Sequence, residues 1–208
     1  MIHYGIDPVP FGSLPKDKKA SRVRLGLPEE GLLIGHVGRF DVQKNHRFLI
    51  EVFEALASRL PDARLILVGD GPLRPEIQKL VTSKGLQDRV LFLGVRTDVP
   101  EIMGCLDLFL FPSLWEGLGI VLLEAQAAGL PCVVSDVIPE EADLGIGLIC
   151  RVNLKAPMDV WIDNTQRFLH NCPSRPDSEV RLCALRLAGY DIATSVSYLE
   201  GIYAKDSA

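Results

Sequence analysis

Two carboxylates bracket the segment Glu116-Gly-Leu-Gly-Ile-Val-Leu-Leu-Glu124, eight positions apart. With Glu116 on a loop and Glu124 inside a helix, a rise of about 1.5 Å per residue separates them by at most about 12 Å. Eight steps of about 100° leave them roughly 80° apart around the axis. Acid pairs that hydrolyse glycosides sit about 5–9.5 Å apart, so this spacing is too wide for that chemistry. It suits two clusters of hydroxyls flanking a diphosphate. Glu116 would accept hydrogen bonds from a sugar, and Glu124, set deeper, from a ribose. The plainer alternative makes Glu116 an exposed loop acid and Glu124 a helix-surface acid. Glu124 fits that alternative poorly, because Leu122, Leu123, Ala125, Ala127 and Ala128 around it are small or apolar. An acid in such company needs a cleft or a buried partner.

Arg39 and Lys44 lie five residues apart on one loop, after Gly38. A planar guanidinium and a point-charge ammonium can together grip a diphosphate. The residues alone equally allow a solvated loop carrying two ordinary cations. Gly117-Leu118-Gly119 opens a helix, where free backbone amides attract anions and glycine admits a phosphate. A ligand-free strand-to-helix turn uses the same residues. The stretch is not a G-x-G-x-x-G fingerprint, so a dinucleotide site is not indicated.

These residues must be positioned by the elements around them. Apolar, β-rich runs at 32–37, 65–68, 90–93, 106–111 and 132–135, with a sixth at 148–150, alternate with helical patterns at 45–60, 72–83, 99–104 and 119–128. Strands apolar on both faces and separated by helices predict an α/β doubly wound parallel sheet, Rossmann-like, of about six strands. Beyond Pro157 the pattern is helical, at 158–170, 176–188 and 191–204, with a break at 171–176. One domain over 1–208 with a helical C-terminal section is expected. In such a sheet, ligands gather beyond the carboxyl ends of the strands. Arg39, Lys44, Val95 and Glu116–Gly119 all follow strands and so share one rim.

Composition narrows the partners. The 208 residues are 48% hydrophobic and 24% charged with a net charge of −5, which disfavours nucleic acid. Five scattered cysteines form no C-x-x-C pair, so neither a disulfide framework nor a zinc site is indicated and a reducing cytosol fits. No signal peptide or membrane-length apolar run is present, which points to a soluble cytoplasmic protein. His36 is expected in the core, and His46 at a helix start as a cap or ligand contact. Asp70 is assigned to turn chemistry, and Cys105 and Cys132 to the core.

The set Gly38-Arg39…Lys44-Asn45, Leu67-Val-Gly-Asp-Gly-Pro72, Val90-Leu-Phe-Leu-Gly94, Pro112-Ser113 and Glu116-Gly-Leu-Gly…Glu124-Ala…Gly129-Leu-Pro131 resembles the C-terminal, donor-binding domain of retaining GT-B glycosyltransferases. The nearest group is family 4 (group 1), of the exopolysaccharide and capsule type. Gly5-Ile6-Asp7 resembles the linker into that domain, and Tyr190-Asp191 the start of its last helices. The resemblance implies that Arg39 and Lys44 bind the donor diphosphate and that Glu116 and Glu124 are the two acids of an E-x7-E motif, for sugar and ribose. Gly117, Leu118 and Gly119 would offer amides, and the backbone of Val95 would meet the nucleobase. It implies hexosyl transfer without a metal or other cofactor, from a nucleotide-sugar taken to be a UDP-sugar.

By the same resemblance an N-terminal acceptor-binding domain is missing, so the isolated chain is expected to bind donor without efficient transfer. The acceptor would be a glycan or lipid-linked, with peripheral membrane association through the missing half. Departures are Leu118 for Phe and Trp115 for Tyr, both expected to keep packing. The segment 140–150 is expected to lack the family's glycine-rich turn and to supply no site residue. A nucleotide-sugar epimerase fits the E-x7-E spacing poorly. A stand-alone, non-catalytic nucleotide-sugar binder or scaffold is the alternative from another class.

Overall fold

A computed structural model describes residues 5–15, 17–171 and 175–206. Six parallel strands form one sheet: β1 (Leu32–Val37), β2 (Ala63–Val68), β3 (Val90–Gly94), β4 (Leu108–Phe111), β5 (Cys132–Ser135) and β6 (Ile149–Val152). Their order is β3-β2-β1-β4-β5-β6. The chain first winds outward from β1 to β3, then returns to place β4 beside β1 and winds the other way. The direction therefore reverses between β1 and β4, which makes the crevice beyond their carboxyl ends the expected ligand position.

Nine helices are described: α1 (Val9–Gly12), α2 (Lys18–Leu25), α3 (His46–Arg59), α4 (Arg74–Ser83), α5 (Val99–Cys105), α6 (Ile120–Ala127), α7 (Met158–Asn171), α8 (Ser178–Leu187) and α9 (Ile192–Asp206). Alternation along the strands splits the core into two layers. In β4, Leu108 and Leu110 join Leu49, Val52, Phe53 and Trp161 on the α3–α4–α7 side. Phe109 and Phe111 join Ile102, Met103, Leu122 and Leu123 on the other. Both faces of the sheet are thus covered, which is why its strands carry continuous apolar runs.

The expected strands and their order of alternation with helices are present, with local shifts. β4 starts at Leu108 rather than 106, because Leu106 caps α5 and the Asp107 amide bonds Leu33 O at 2.9 Å before the ladder proper. β6 runs to Val152, which pairs with Ser135. α4 begins at Arg74 rather than 72, since Gly71–Leu73 form a turn in which Leu73 N donates to Phe40 O at 3.0 Å. α8 begins at Ser178 rather than 176. The expected break at 171–176 includes residues 172–174, which lie outside the described residues.

Helices α1 and α2 were not signalled by apolar periodicity. α2 is mostly polar, yet it has ordinary start and stop signals: the Asp17 carboxylate accepts from Ala20 N, and Gly26 closes it at φ 73°. Its Arg22 is buried, donating to Cys105 O and pairing with Asp107 at 2.7 Å. Lys18 donates to Leu106 O, Arg175 to Gly104 O, and Arg181 to Ala127 O. Four cations therefore meet the carbonyl ends of α5 and α6, where the helix dipole is negative. They sit at the amino ends of the strands, opposite the rim that carries the candidate site.

Candidate functional site

The β1–α3 loop lies flat against its neighbour. Gly38 N donates to Val68 O at 3.0 Å and Phe40 N to Asp70 O at 3.0 Å. Gly69, at φ 131°, makes the approach possible, because a Cβ there would stand 2.1 Å from Gly38 O. Asp70 bonds Gly71 N at 2.7 Å and Arg74 at 3.0 Å, as turn chemistry anticipates. The loop ends at Asn45, whose left-handed φ of 54° is accessible to asparagine. The Asn45 amide donates to Pro112 O at 3.1 Å, tying the loop to the end of β4.

That tie brings Lys44 to Glu116, 72 positions later in the chain. Lys44 Nζ lies 2.6 Å from Glu116 Oε1, with the two side chains only 14% and 6% exposed. The ammonium also lies 4.8 Å from the centre of the Phe111 ring, an orientation that favours a cation. Gln43 donates to Glu116 Oε2 at 3.1 Å and to Trp115 O at 2.9 Å, and its own carbonyl accepts from Leu114 N at 2.8 Å. The α6 helix begins at once, with Gly119 as N-cap in a left-handed conformation at φ 78°.

These groups enclose a cavity of about 470 Å³ lined by Val37, Gly38, Lys44, Glu116, Leu118, Gly119, Ile120, Val121 and Glu124. It opens beyond the carboxyl ends of β1 and β4, at the reversal of strand order. Glu124 enters it from inside α6, its carboxylate makes no hydrogen bond or ion pair among the described residues, and burial raises its pKa. A half-buried acid without a donor is a ready acceptor for ligand hydroxyls.

Five of the sequence-predicted site residues, Lys44, Glu116, Leu118, Gly119 and Glu124, thus share one cavity. Three do not line it. Arg39 follows Gly38 but is exposed and forms no ion pair among the described residues. Gly117 is exposed on the loop. Val95 is 77% exposed after β3, the edge strand farthest from β4 on that side of the sheet. Glu116 is itself well enclosed, with 6% of its side chain exposed, because Lys44 and Gln43 fold over it.

Trp115 was expected to pack and instead is 53% exposed, its backbone pinned to Gln43 while its ring stands outward. In segment 140–150, Gly145 and Gly147 both take positive φ, and no residue of the segment lines the cavity. Gln43 was missed, although it sits beside Lys44 on the same polar loop.

Below the loop, His36 and His46 are both buried. His36 Nδ1 lies 2.9 Å from Leu110 O, and burial pushes its pKa well below the usual value. His46 stacks on Phe40 with ring centres 4.0 Å apart and meets His36 edge-on at 4.8 Å. Neither of its nitrogens has a partner among the described residues, and burial lowers its pKa to about 4. His46 is therefore part of the floor beneath Lys44, not an exposed cap. Ser113 is buried and its hydroxyl has no partner among the described residues. Among the described residues, no group of three His, Cys, Asp or Glu is placed to hold a metal, and no helix is long and apolar enough to cross a membrane.

Residues 31–169 match the family model described as glycosyl transferases group 1. EpsF of Bacillus subtilis, assigned as a glycosyltransferase, is 41% identical over 194 residues, which are 93% of this chain and 49% of that protein. The UDP-Gal:alpha-D-GlcNAc-diphosphoundecaprenol alpha-1,3-galactosyltransferase of Escherichia coli is 35% identical over 66% of this chain and 36% of its own. The crystal structure of Anabaena HepE in complex with UDP-glucose superposes with a TM-score of 0.79 at 23% identity, over 97% of this chain and 56% of that one. The chain thus spans about half the length of EpsF and of HepE, and about a third of the galactosyltransferase.

Proposed function

The chain belongs to the glycosyl transferases group 1 family, and from that premise we propose that it is the domain that binds a nucleoside-diphosphate sugar for retaining hexosyl transfer. The observation that carries this reading is the meeting of Lys44, Glu116 and Glu124 in one cavity at the carboxyl ends of β1 and β4. Lys44, with Arg39 swinging in from the same loop, takes the diphosphate. Glu116 accepts hydroxyls of the transferred sugar, and Glu124 those of the ribose. The amides of Gly117, Leu118 and Gly119 at the start of α6 face the phosphates, and the backbone at Val95 meets the base. Uracil is the base proposed, in keeping with the UDP-glucose bound by HepE.

Transfer breaks the bond between the sugar's anomeric carbon and the terminal phosphate oxygen. The nucleoside diphosphate leaves with the electron pair, and the sugar passes through an oxocarbenium-like state. Lys44 stands at the leaving oxygens, where charge grows in the transition state, Arg39 adds a second cation once it has turned in, and one such donor is worth roughly 3–4 kcal/mol. The acceptor, a glycan or lipid-linked group in exopolysaccharide synthesis, would be held by a further domain. The coverage of about half of EpsF supports that division, as do Ile192, Val196 and Tyr198, exposed along α9.

Calorimetry with UDP and uridine tests the assignment. Lys44→Ala and Arg39→Ala each weaken UDP by roughly tenfold or more, the range for a charged hydrogen bond, and spare uridine. Glu124→Ala weakens both ligands. Equal losses for both ligands in all three variants would remove the assignment.

A further inference from the structure

Resting on the donor-binding reading, we propose that Glu116 serves as a built-in counter-ion that a donor diphosphate must displace from Lys44, and that Gln43 then holds the released carboxylate for the sugar. Lys44 and Glu116 already neutralise each other within the fold. Lys44 Nζ and Glu116 Oε1 are 2.6 Å apart, and neither side chain is more than 14% exposed. Lys44 has little room to turn elsewhere. Its stem passes Gly38 so closely that a Cβ there would lie 3.2 Å from both Cγ and Cδ, and its ammonium sits over Phe111. An incoming diphosphate therefore competes with the carboxylate for this cation. Two anions on one ammonium at this depth repel each other strongly.

Gln43 decides where Glu116 goes. Its amide holds Oε2 at 3.1 Å and Trp115 O at 2.9 Å, so the carboxylate stays tethered after it gives up Lys44. A tethered carboxylate stripped of its cation needs new donors. The hydroxyls of the transferred sugar supply them, whereas a bare nucleoside diphosphate has only its ribose hydroxyls, which this reading places at Glu124. The exchange therefore favours donor over spent product, and it returns Glu116 to Lys44 when the product leaves. Lys44 and Glu116 form one switchable pair, and Gln43 is a positioning residue.

The test is calorimetry on the 208-residue chain with UDP, GDP and ADP, taking the tightest, and then with its sugar conjugate. Glu116→Gln keeps shape and removes the competing charge. Its affinity for the nucleoside diphosphate should rise at least fivefold, and its preference for the sugar conjugate should fall. Glu124→Gln removes an equal charge from the same cavity without touching Lys44, and should show no gain. Gln43→Leu should lower the ratio of sugar-conjugate to diphosphate affinity, and an unchanged ratio overturns the part given to Gln43. If Glu116→Gln fails to tighten the diphosphate while Lys44→Met loses it, the exchange is wrong and the donor reading stands. Equal gains in Glu116→Gln and Glu124→Gln mark a general charge effect and also overturn the exchange. If Lys44→Met binds like the wild type, or no diphosphate binds any of these proteins, the donor reading fails and takes the exchange with it.

Discussion

Replacing His46 by phenylalanine should change how the domain responds to acid. His46 lies between the rings of Phe40 and His36, with two unpartnered nitrogens, and is held neutral by burial, with Asp41 pulling its pKa up and Lys44 pushing it down. Its pKa falls from an ordinary 6.5 to about 4 in the folded chain. A depressed folded value means that the unfolded chain takes up the proton first. Stability from this site is present above about pH 6.5 and is lost as pH falls towards about 4. At about 1.4 kcal/mol per unit, the full loss is about 3 kcal/mol, of which about 2 kcal/mol falls between about pH 7 and pH 5. Phenylalanine fills the same slot between rings and has nothing to protonate. Urea unfolding of both proteins at about pH 7, 6 and 5 gives the comparison. The variant should match or exceed the wild type at the first pH and should lead by about 2 kcal/mol more at the last. Parallel profiles at all three pH values would refute the buried, neutral assignment.

Two further substitutions probe the supports of the site. Gly69→Ala should lower the melting temperature by at least about 6 °C, from about 3 kcal/mol of clash and strain, because its Cβ would lie 2.1 Å from Gly38 O at φ 131°. A normal melting curve with normal diphosphate affinity would show that the two loops separate freely. Arg22→Met should cost about 3–5 kcal/mol, since it leaves Asp107 without its buried partner. Chemical denaturation reads this directly, and a loss below about 1 kcal/mol would mean that Lys18 alone satisfies Asp107.

Much of this layout is legible in the sequence because apolar runs buried on both faces leave a plain mark. β1 and β5 fall on the residues expected, and the rim residues follow their strands. The elements missed are those whose formation depends on caps and distant partners. α2 is polar, and its burial turns on Arg22 reaching carbonyls more than 80 positions away. Within the site, Lys44 and Glu116 could be placed on one rim but not in contact. Their contact depends on β4 lying beside β1, which no local pattern states. Gln43 is invisible for the same reason, since its partners lie on the β4–α6 loop. The depth of Glu116 is hidden because the residues that cover it come from the other loop. Trp115 shows the opposite error, where residue type suggests packing and the pinned backbone turns the ring outward.

Backbone amide shifts, followed by NMR during titration with UDP-glucose, GDP-mannose and ADP-glucose, address the nucleotide-sugar pocket most directly. At least one donor should move Gly38, Lys44, Glu116, Gly119 and Glu124 together, with a single saturation curve. Shifts confined to Lys18, Asp107 and Gly129, which line a separate pocket at the amino ends of the strands, or no shifts with any donor, would contradict it.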